Sequence, residues 1–385
     1  MSTRNLSILR AARVMSMVPG QEPIRDAAIV HDGRFIVQIG PWTELRARFR
    51  GPVEDLGGAT LCPGVFNSHT HLEMCHLLGK TVRGQGFTSW IKSLVANPMY
   101  DMDDAEVAAQ CRRIRRLGTA HVADISTKQA PRIAGVLDES GLFFVAFREM
   151  IFFSPPPDEQ DFVPDGEFAN GVLSCAGHAP YSTHPETLRR AKRACAARGL
   201  PHSIHLAENE EESRILMGER IEFVEVLERA NIPMTGFRPP RVSPVAYALD
   251  LGLLDPDTLA VHCVTVSDED IDILRRTGTN VCLCPRSNDY IGEGRAPWEK
   301  LRAAGVNLCL GTDGLASNHD LDVWNELAFL KERFVDELSL EDGLALLTRN
   351  PARAFRAENR LGTLEPGKAA RWSVVPENVL ALFEA

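Results

Sequence analysis

Residues 60–71 read TLCPGVFNSHTH, an apolar run that ends in two histidines, His69 and His71. The apolar part predicts a buried strand, because such short runs bounded by turn residues are typical of the interior of a sheet. Side chains two positions apart point to the same side of a strand, so both histidines can hold one metal ion. Alone, however, such a pair more often consists of two ordinary core or surface histidines.

Seven further apolar runs follow along the chain, mostly separated by patterns typical of helices. Strands that alternate with helices predict an α/β fold, and eight such units predict a (β/α)8 TIM barrel. With residues 60–66 as the first, the predicted barrel strands are residues 119–125, 142–150, 172–176, 203–206, 259–261, 281–284 and 306–310.

The two ends of the chain lack this alternation. The segment before residue 59 consists of short strand patterns separated by Asp-Gly and Gly-Gly turns, and the tail is again rich in turn residues. We therefore predict a small β-sandwich domain built from both chain ends, residues 1–58 and 362–385. The metal-dependent catalytic barrel is predicted to span residues 59–361.

Composition excludes several classes of protein. The chain has 385 residues, of which 44% are hydrophobic and 24% charged, as in ordinary globular proteins. Its formal net charge of −10 argues against a nucleic-acid partner, which needs clustered positive charge. No apolar run is long enough to span a membrane, and the first residues do not resemble a secretory signal, so we predict a cytoplasmic protein. The sequence leaves the oligomeric state open, with a homodimer as one candidate.

Ligand-type side chains follow other predicted strands as well. His205 ends the fifth run and Asp313 follows the eighth. Because the active sites of such barrels lie at the carboxyl ends of the strands, we expect these two residues to meet His69 and His71. Imidazole and carboxylate ligands suit a borderline divalent cation. The sequence therefore predicts a centre that holds one divalent metal ion.

Two further residues are candidates for proton transfer. Glu208 lies just beyond the fifth run, where it can act as a proton shuttle. Alternatively, it belongs to a solvated helix N-terminus, since residues 210–212 are also glutamates. His262 follows the sixth run and can orient water or polarise a substrate. A lone histidine in such a place is more often a buried core residue.

Six motifs contain these candidates: PGVFNSHTHLE at residues 63–73, HAPYS at 178–182, HLAE at 205–208, HCV at 262–264, CPRSN at 284–288 and GTDGLASN at 311–318. By their order and spacing the chain resembles the amidohydrolase superfamily along nearly its whole length, in the branch of cytosine, guanine and adenosine-type nucleoside deaminases. The resemblance implies one Zn²⁺ or Fe²⁺ bound by four ligands, His69, His71, His205 and Asp313. It also implies that Glu208 and His262 complete the catalytic group.

The reaction implied by the resemblance is hydrolytic loss of an amine from a ring. Asp313 would accept the proton of the attacking water, and Glu208 would protonate the ring nitrogen and then the leaving amine. The presence of Glu208 favours deamination over the related dechlorination of triazines, because chloride leaves without being protonated. A guanine deaminase, a triazine-type chlorohydrolase and a catalytically silent metal-binding barrel remain alternatives.

Trp90 occupies the segment where S-adenosylhomocysteine and methylthioadenosine deaminases place a tryptophan against the nucleoside. An amphipathic helix packed on the barrel is the alternative explanation. Those relatives also carry a glutamate shortly afterwards, whereas residues 96–100 here read ANPMY. The overall pattern more closely resembles the aminodeoxyfutalosine deaminases of menaquinone biosynthesis, whose substrate is an adenosine with a benzoate-bearing arm.

We expect Trp90, His178 and Ser317 to contact this small-molecule nucleoside. A benzoate also needs a cation or oriented donors, and Arg148 or Arg286 would supply a bidentate contact from a strand end. Arg148 is alternatively a structural partner of a nearby acid.

Overall fold

The computed structural model describes residues 6–151, 153–157, 161–229, 232, 234, 236–334 and 338–384. Within this part of the chain the strands are β1 Ser7–Val14, β2 Ile24–His31, β3 Ile36–Pro41, β4 Val53–Asp55, β5 Thr60–Pro63, β6 Val65–Thr70, β7 Thr119–Ser126, β8 Phe143–Met150, β9 Gly171–Gly177, β10 His202–Leu206, β11 Thr258–His262, β12 Asn280–Leu283, β13 Leu308–Leu310 and β14 Trp372–Val374.

The helices of the same residues lie mostly between the barrel strands. They are α1 Trp42–Arg48, α2 Phe87–Val95, α3 Asp104–Arg116, α4 Ala130–Glu139, α5 Pro185–Ala197, α6 Glu210–Leu216, α7 Glu222–Arg229, α8 Pro244–Asp250, α9 Asp268–Thr277, α10 Pro285–Ile291, α11 Trp298–Ala303, α12 Val323–Phe334, α13 Leu340–Leu347, α14 Arg349–Ala354 and α15 Glu377–Glu384, with a 3₁₀ helix at Leu72–Leu77. None of the described helices is long and apolar enough to cross a membrane.

Eight strands, β6 to β13, form one sheet in which each strand pairs in parallel with the next. The last strand lies against the first: the Thr312 amide donates to Asn67 Oδ1 at 3.1 Å, and the Asp313 amide donates to His69 O at 3.0 Å. All residues of β6 and β7 are buried, as expected for a sheet covered on both faces. The predicted (β/α)8 barrel is confirmed.

The terminal segments form a separate mixed sheet with the strand order β14-β5-β1-β2-β3, and β4 pairs with the free part of β1. β1 and β2 are antiparallel, β1 and β5 are parallel, and β14 pairs antiparallel with β5. A β domain built from both chain ends was predicted, and it takes the form of this single six-stranded sheet.

The first apolar run, predicted as one barrel strand, is divided into two strands. Residues Thr60–Pro63 pair with the terminal sheet, and only Val65–Thr70 enters the barrel. The chain passes from one sheet to the other at Gly64, where a Cβ atom would lie 2.5 Å from the Cβ of Ala120. A side chain at this crossing would therefore clash with β7. The small sheet thus extends to residue 63, beyond the predicted boundary at residue 58.

Candidate active site

The carboxyl ends of the barrel strands contain strained turns. Ala207, His262 and Asp313 have φ angles of 51°, 74° and 58°, all in the left-handed region that non-glycine residues rarely adopt. These residues follow or end strands β10, β11 and β13. Such backbone strain costs free energy and occurs preferentially at functional sites. The same end of the barrel contains the candidate catalytic residues.

Three histidines meet at this end. His69, His71 and His205 are buried, and each places a ring nitrogen within 4.8 Å of the others. Asp313 Oδ1 lies 3.4 Å from the Nε2 atoms of both His69 and His71. The structure therefore brings together the four residues that the sequence predicted as metal ligands.

The protonation states of these residues fit a divalent cation. Burial lowers the pKa of His69 to about 4, and burial also holds the pKa of His205 well below its usual value. Both ring nitrogens of His69 are buried without a hydrogen-bond partner in the described protein. Although burial opposes it, contact with His69 and the charge of His71 keep the pKa of Asp313 well below its usual range. Imidazoles of low pKa, as at His69 and His205, beside a carboxylate of low pKa are the donor set that zinc and iron favour.

The second carboxylate oxygen of Asp313 is held in place by hydroxyl groups. Ser287 Oγ and Ser317 Oγ each donate to Asp313 Oδ2 at 2.7 Å. These contacts fix the carboxylate so that Oδ1 faces the histidines. Ser317 also lines the cavity described below, whereas Ser287 does not. Ser287 belongs to the CPRSN motif, but the motif alone predicted no role for it.

Glu208 and His262 form a second pair beside the metal ligands. Glu208 Oε1 lies 3.4 Å from His262 Nε2, and both side chains are buried. His262 Nδ1 is 3.0 Å from Asn288 Oδ1, so Nδ1 carries the proton in this arrangement and Nε2 is left as an acceptor. Burial, followed by the charge of Asp313, raises the pKa of Glu208 well above its usual value. Burial also lowers the pKa of His262, so the pair combines a carboxyl group of raised pKa with an imidazole of lowered pKa.

A cavity of about 390 Å³ opens onto these groups. Its deep end is formed by polar residues, among them His71, His205, Glu208, His262 and Asp313. A large part of the remaining wall is apolar and comes mainly from helices α2 and α7, with Phe87, Trp90, Ile91, Leu94, Phe223 and Leu227. Its size and its apolar wall with a few convergent polar groups are typical of small-molecule sites.

Trp90 and His178 both line this cavity, as the sequence analysis expected of substrate contacts. Trp90 Nε1 donates to Ala316 O at 2.9 Å, which ties α2 to the loop after β13 and leaves the ring for packing. His178 O lies 3.2 Å from His205 Nδ1, while its own Nδ1 is 2.5 Å from Ser182 Oγ. The backbone of His178 therefore orients the His205 ring, whose other ring nitrogen would be available to a metal ion.

Neither Arg148 nor Arg286 lies among the described residues that line the cavity. Arg148 Nη1 donates to Asp161 O at 3.1 Å. Consecutive side chains of a strand point to opposite faces, so Arg148 lies on the other face of β8 from Glu149. Arg286 forms a bidentate ion pair with Asp320 at 2.8 and 3.0 Å. The geometry therefore gives no support to the expectation that either arginine binds a substrate carboxylate.

Sequence reasoning missed a polar part of the cavity wall, formed by Tyr100, Thr127, Lys128 and Glu149. Glu149 Oε2 accepts a hydrogen bond from Thr127 Oγ1 at 2.8 Å, whereas Oε1 has no hydrogen-bond partner among the described residues and lies 3.6 Å from His205 Nδ1. Burial raises the pKa of Glu149 to about 7. The sequence contains one signal for Glu149. Consecutive side chains of β8 point to opposite faces of the sheet, so Glu149 faces the barrel interior if Arg148 faces outward.

Comparison with known proteins supports the same family. The sequence profile of the amidohydrolase family matches residues 60–383. A 5-methylthioadenosine/S-adenosylhomocysteine deaminase of Nitratidesulfovibrio vulgaris (strain DP4) is 30% identical over 339 residues, which cover 83% of this chain and 71% of the relative. An aminodeoxyfutalosine deaminase of Deinococcus radiodurans is 29% identical over 327 residues, which cover 80% of this chain and 76% of the relative.

The fold is also similar to that of solved structures. The Helicobacter pylori aminofutalosine deaminase superposes with a TM-score of 0.83 over 98% of this chain and 95% of the other. The two sequences are 22% identical, so this likeness concerns the fold alone.

Proposed function

The chain belongs to the amidohydrolase family, and we propose that it catalyses the metal-dependent hydrolytic deamination of the adenine ring of an adenosine derivative. The observation that carries the proposal is the buried Glu208–His262 pair next to the predicted metal ligands. A site that only held a metal would not need a protonated carboxyl group beside it. The names of the curated relatives support an adenine nucleoside as the substrate class.

The metal would be held by His69, His71, His205 and Asp313. When bound, a divalent cation lowers the pKa of water at the site into the neutral range. Asp313 Oδ1 then accepts the proton of that water, while Ser287 and Ser317 hold the other oxygen. His262 Nε2 accepts a hydrogen bond from the same water, because Asn288 fixes the proton on Nδ1.

Glu208 supplies the proton that deamination requires. It first protonates the ring nitrogen next to the attacked carbon, which makes this carbon a better electrophile. The hydroxyl group of the tetrahedral intermediate then returns a proton to Glu208 as the carbonyl forms, and Glu208 passes this proton to the exocyclic amine, which leaves as ammonia. The proton that Asp313 took from water finally restores the acid form of Glu208. Burial favours this role, because it raises the pKa of Glu208 well above the usual value of a glutamate and so favours the acid form.

For the specific substrate we propose 6-amino-6-deoxyfutalosine, which would be converted to futalosine in menaquinone biosynthesis. Support comes from the resemblance of the motifs, from the Deinococcus radiodurans relative and from the absence of a glutamate in residues 96–100. The second candidate is methylthioadenosine or S-adenosylhomocysteine. This alternative is favoured by the Nitratidesulfovibrio vulgaris relative and by the apolar cavity wall formed by α2 and α7.

A substrate panel tests these proposals. Protein loaded with Zn²⁺ or Fe²⁺ is incubated with aminodeoxyfutalosine, methylthioadenosine, S-adenosylhomocysteine, 5′-deoxyadenosine, adenosine, guanine and a chlorotriazine, while ammonia, chloride and the change from adenine to hypoxanthine absorbance are followed. We expect deamination of adenine nucleosides, with the highest kcat/KM for aminodeoxyfutalosine, and loss of activity on chelation. Preference for guanine or the triazine would contradict the proposal. Stoichiometric metal without any turnover would indicate a catalytically silent barrel.

The contact between Ser287 and Asp313 gives a separate prediction. Replacing Ser287 with alanine removes one of the two donors to Asp313 Oδ2 and lets the carboxylate rotate. We expect metal affinity or kcat/KM to fall about 10- to 100-fold, the usual effect of losing a group that orients a ligand. Because Ser287 does not line the cavity, KM should change less than kcat. Unchanged metal affinity and kcat in Ser287→Ala would show that Ser317 alone positions the carboxylate.

A further inference from the structure

One side of the cavity differs from the apolar wall opposite. We call Tyr100, Thr127, Lys128 and Glu149 the polar wall, since all four line the cavity and each carries a polar or charged group. Thr127 and Lys128 follow directly after β7, Glu149 lies in β8, and Tyr100 comes from the segment between α2 and α3. None of these residues belongs to the metal ligands or to the Glu208–His262 pair.

Hydrogen bonds to a buried carboxylate fix the backbone of the loop that carries Lys128. The buried carboxylate of Glu73 accepts hydrogen bonds from three consecutive backbone amides, those of Thr127 at 2.7 Å and of Lys128 and Gln129 at 3.2 Å each. The ammonium group of Lys128 lies 4.2 Å from the centre of the Tyr100 ring. A cation–π contact at this distance restrains the lysine side chain without neutralising its charge. The ammonium group is therefore held at the edge of the cavity, although the residue is exposed to solvent.

The cationic side chain of the described cavity lining lies at an exposed part of the wall. Lys128 is the only lysine or arginine among the described lining residues, and no described carboxylate lies within ion-pair distance of it. The three carboxyl groups that line the cavity, those of Glu149, Glu208 and Asp313, are buried, whereas Lys128 is exposed. An anionic group of a ligand that reaches this part of the cavity is thus attracted by the ammonium group of Lys128.

We propose that Lys128 binds a carboxylate at the outer end of the substituent that the substrate carries on its 5′ carbon. This inference rests on the proposed function and adds the residue that selects the substrate. One positive charge complements a group with a single negative charge, which favours a carboxylate over a dianionic phosphate. Tyr100 is the positioning residue, because its ring holds the ammonium group. The apolar wall of α2 and α7 contacts the part of the substituent between the ribose and the carboxylate.

The test uses two substrates that differ only in this charge: an adenosine with a 5′ substituent ending in a carboxylate, and the methyl ester of the same compound. We expect the wild-type protein to favour the acid in kcat/KM, and Lys128→Met to reduce kcat/KM for the acid about 10- to 100-fold more than for the ester, as for loss of a hydrogen bond to a charged group. The preference of the wild type should also weaken as salt is added. Lys128→Arg should retain most of the preference, since it keeps the charge.

Lys80→Met is the matched control, because Lys80 is an exposed lysine outside the cavity lining. This control should keep the preference of the wild type for the acid. Equal losses for acid and ester in Lys128→Met would overturn the proposal and assign Lys128 a structural role. Equal kcat/KM of the wild type for the acid and the ester would also overturn the proposal for Lys128. Because both compounds would still be deaminated, that result would leave the proposed function standing. Failure to deaminate any adenine nucleoside would instead refute the proposed function itself.

Discussion

Replacing Asp313 with asparagine is expected to lower kcat/KM about 10⁴-fold, the upper end of the range for a group that transfers a proton, and to weaken metal retention. Two roles are lost together. The amide is a poorer ligand than the carboxylate that lies 3.4 Å from His69 and His71, and it cannot accept the proton of the attacking water. Metal content after dialysis and steady-state kinetics with added metal separate the two losses.

Asparagine is the informative replacement because of the backbone at this position. Asp313 has a φ of 58°, a conformation that asparagine adopts more readily than alanine does, so the variant tests the carboxylate without adding backbone strain. Asp272→Asn serves as the control, since Asp272 is exposed on α9 and pairs only with Arg275 and Arg276 among the described residues. Full activity of Asp313→Asn with stoichiometric metal would remove Asp313 from the mechanism.

The barrel and the meeting of the four candidate metal ligands could be predicted from the sequence because they depend on local pattern. Each barrel strand contains a short apolar run, and His205 lies at the end of one such run while Asp313 lies just beyond another. Since parallel strands in a barrel end on the same side, adjacency to a strand end was sufficient to predict that these residues meet. The division of residues 60–70 between two sheets could not be predicted in this way, because both halves are apolar and buried.

The substrate-contacting residues were harder to predict, because they depend on which way a side chain points and on distant partners. Arg286 follows a strand end as predicted, but Asp320, 34 residues further along the chain, binds its guanidinium group. The polar wall depends on the packing of the segment around Tyr100 against the loop at Lys128, two segments with no common motif. A contact between two such distant segments forms only in the folded chain, and neither segment alone has a sequence pattern that predicts it.

Replacing Glu208 with glutamine is expected to preserve metal binding while lowering kcat for an adenine nucleoside by about 10²- to 10⁴-fold, as for loss of a general acid–base group. The amide has nearly the same shape as the carboxyl group and still reaches His262, 3.4 Å away, but it has no acidic proton to deliver. Glu210→Gln is a suitable control, because Glu210 is exposed in the first turn of α6 and does not line the cavity. Unchanged turnover in Glu208→Gln would exclude the proton-shuttle role.

A substrate with a different leaving group makes this prediction specific to proton transfer. In a 6-chloropurine nucleoside with the same 5′ substituent, the ring nitrogen still needs a proton but chloride leaves without one. Glu208→Gln should therefore lose less activity on the chloro compound than on the amine, because only one of the two proton transfers is removed. If Glu208 instead acted only by holding His262 in place, both substrates would suffer equally, since both depend on the same attacking water. The ratio of the two losses thus distinguishes an acid that protonates the leaving group from a residue that orients its neighbour.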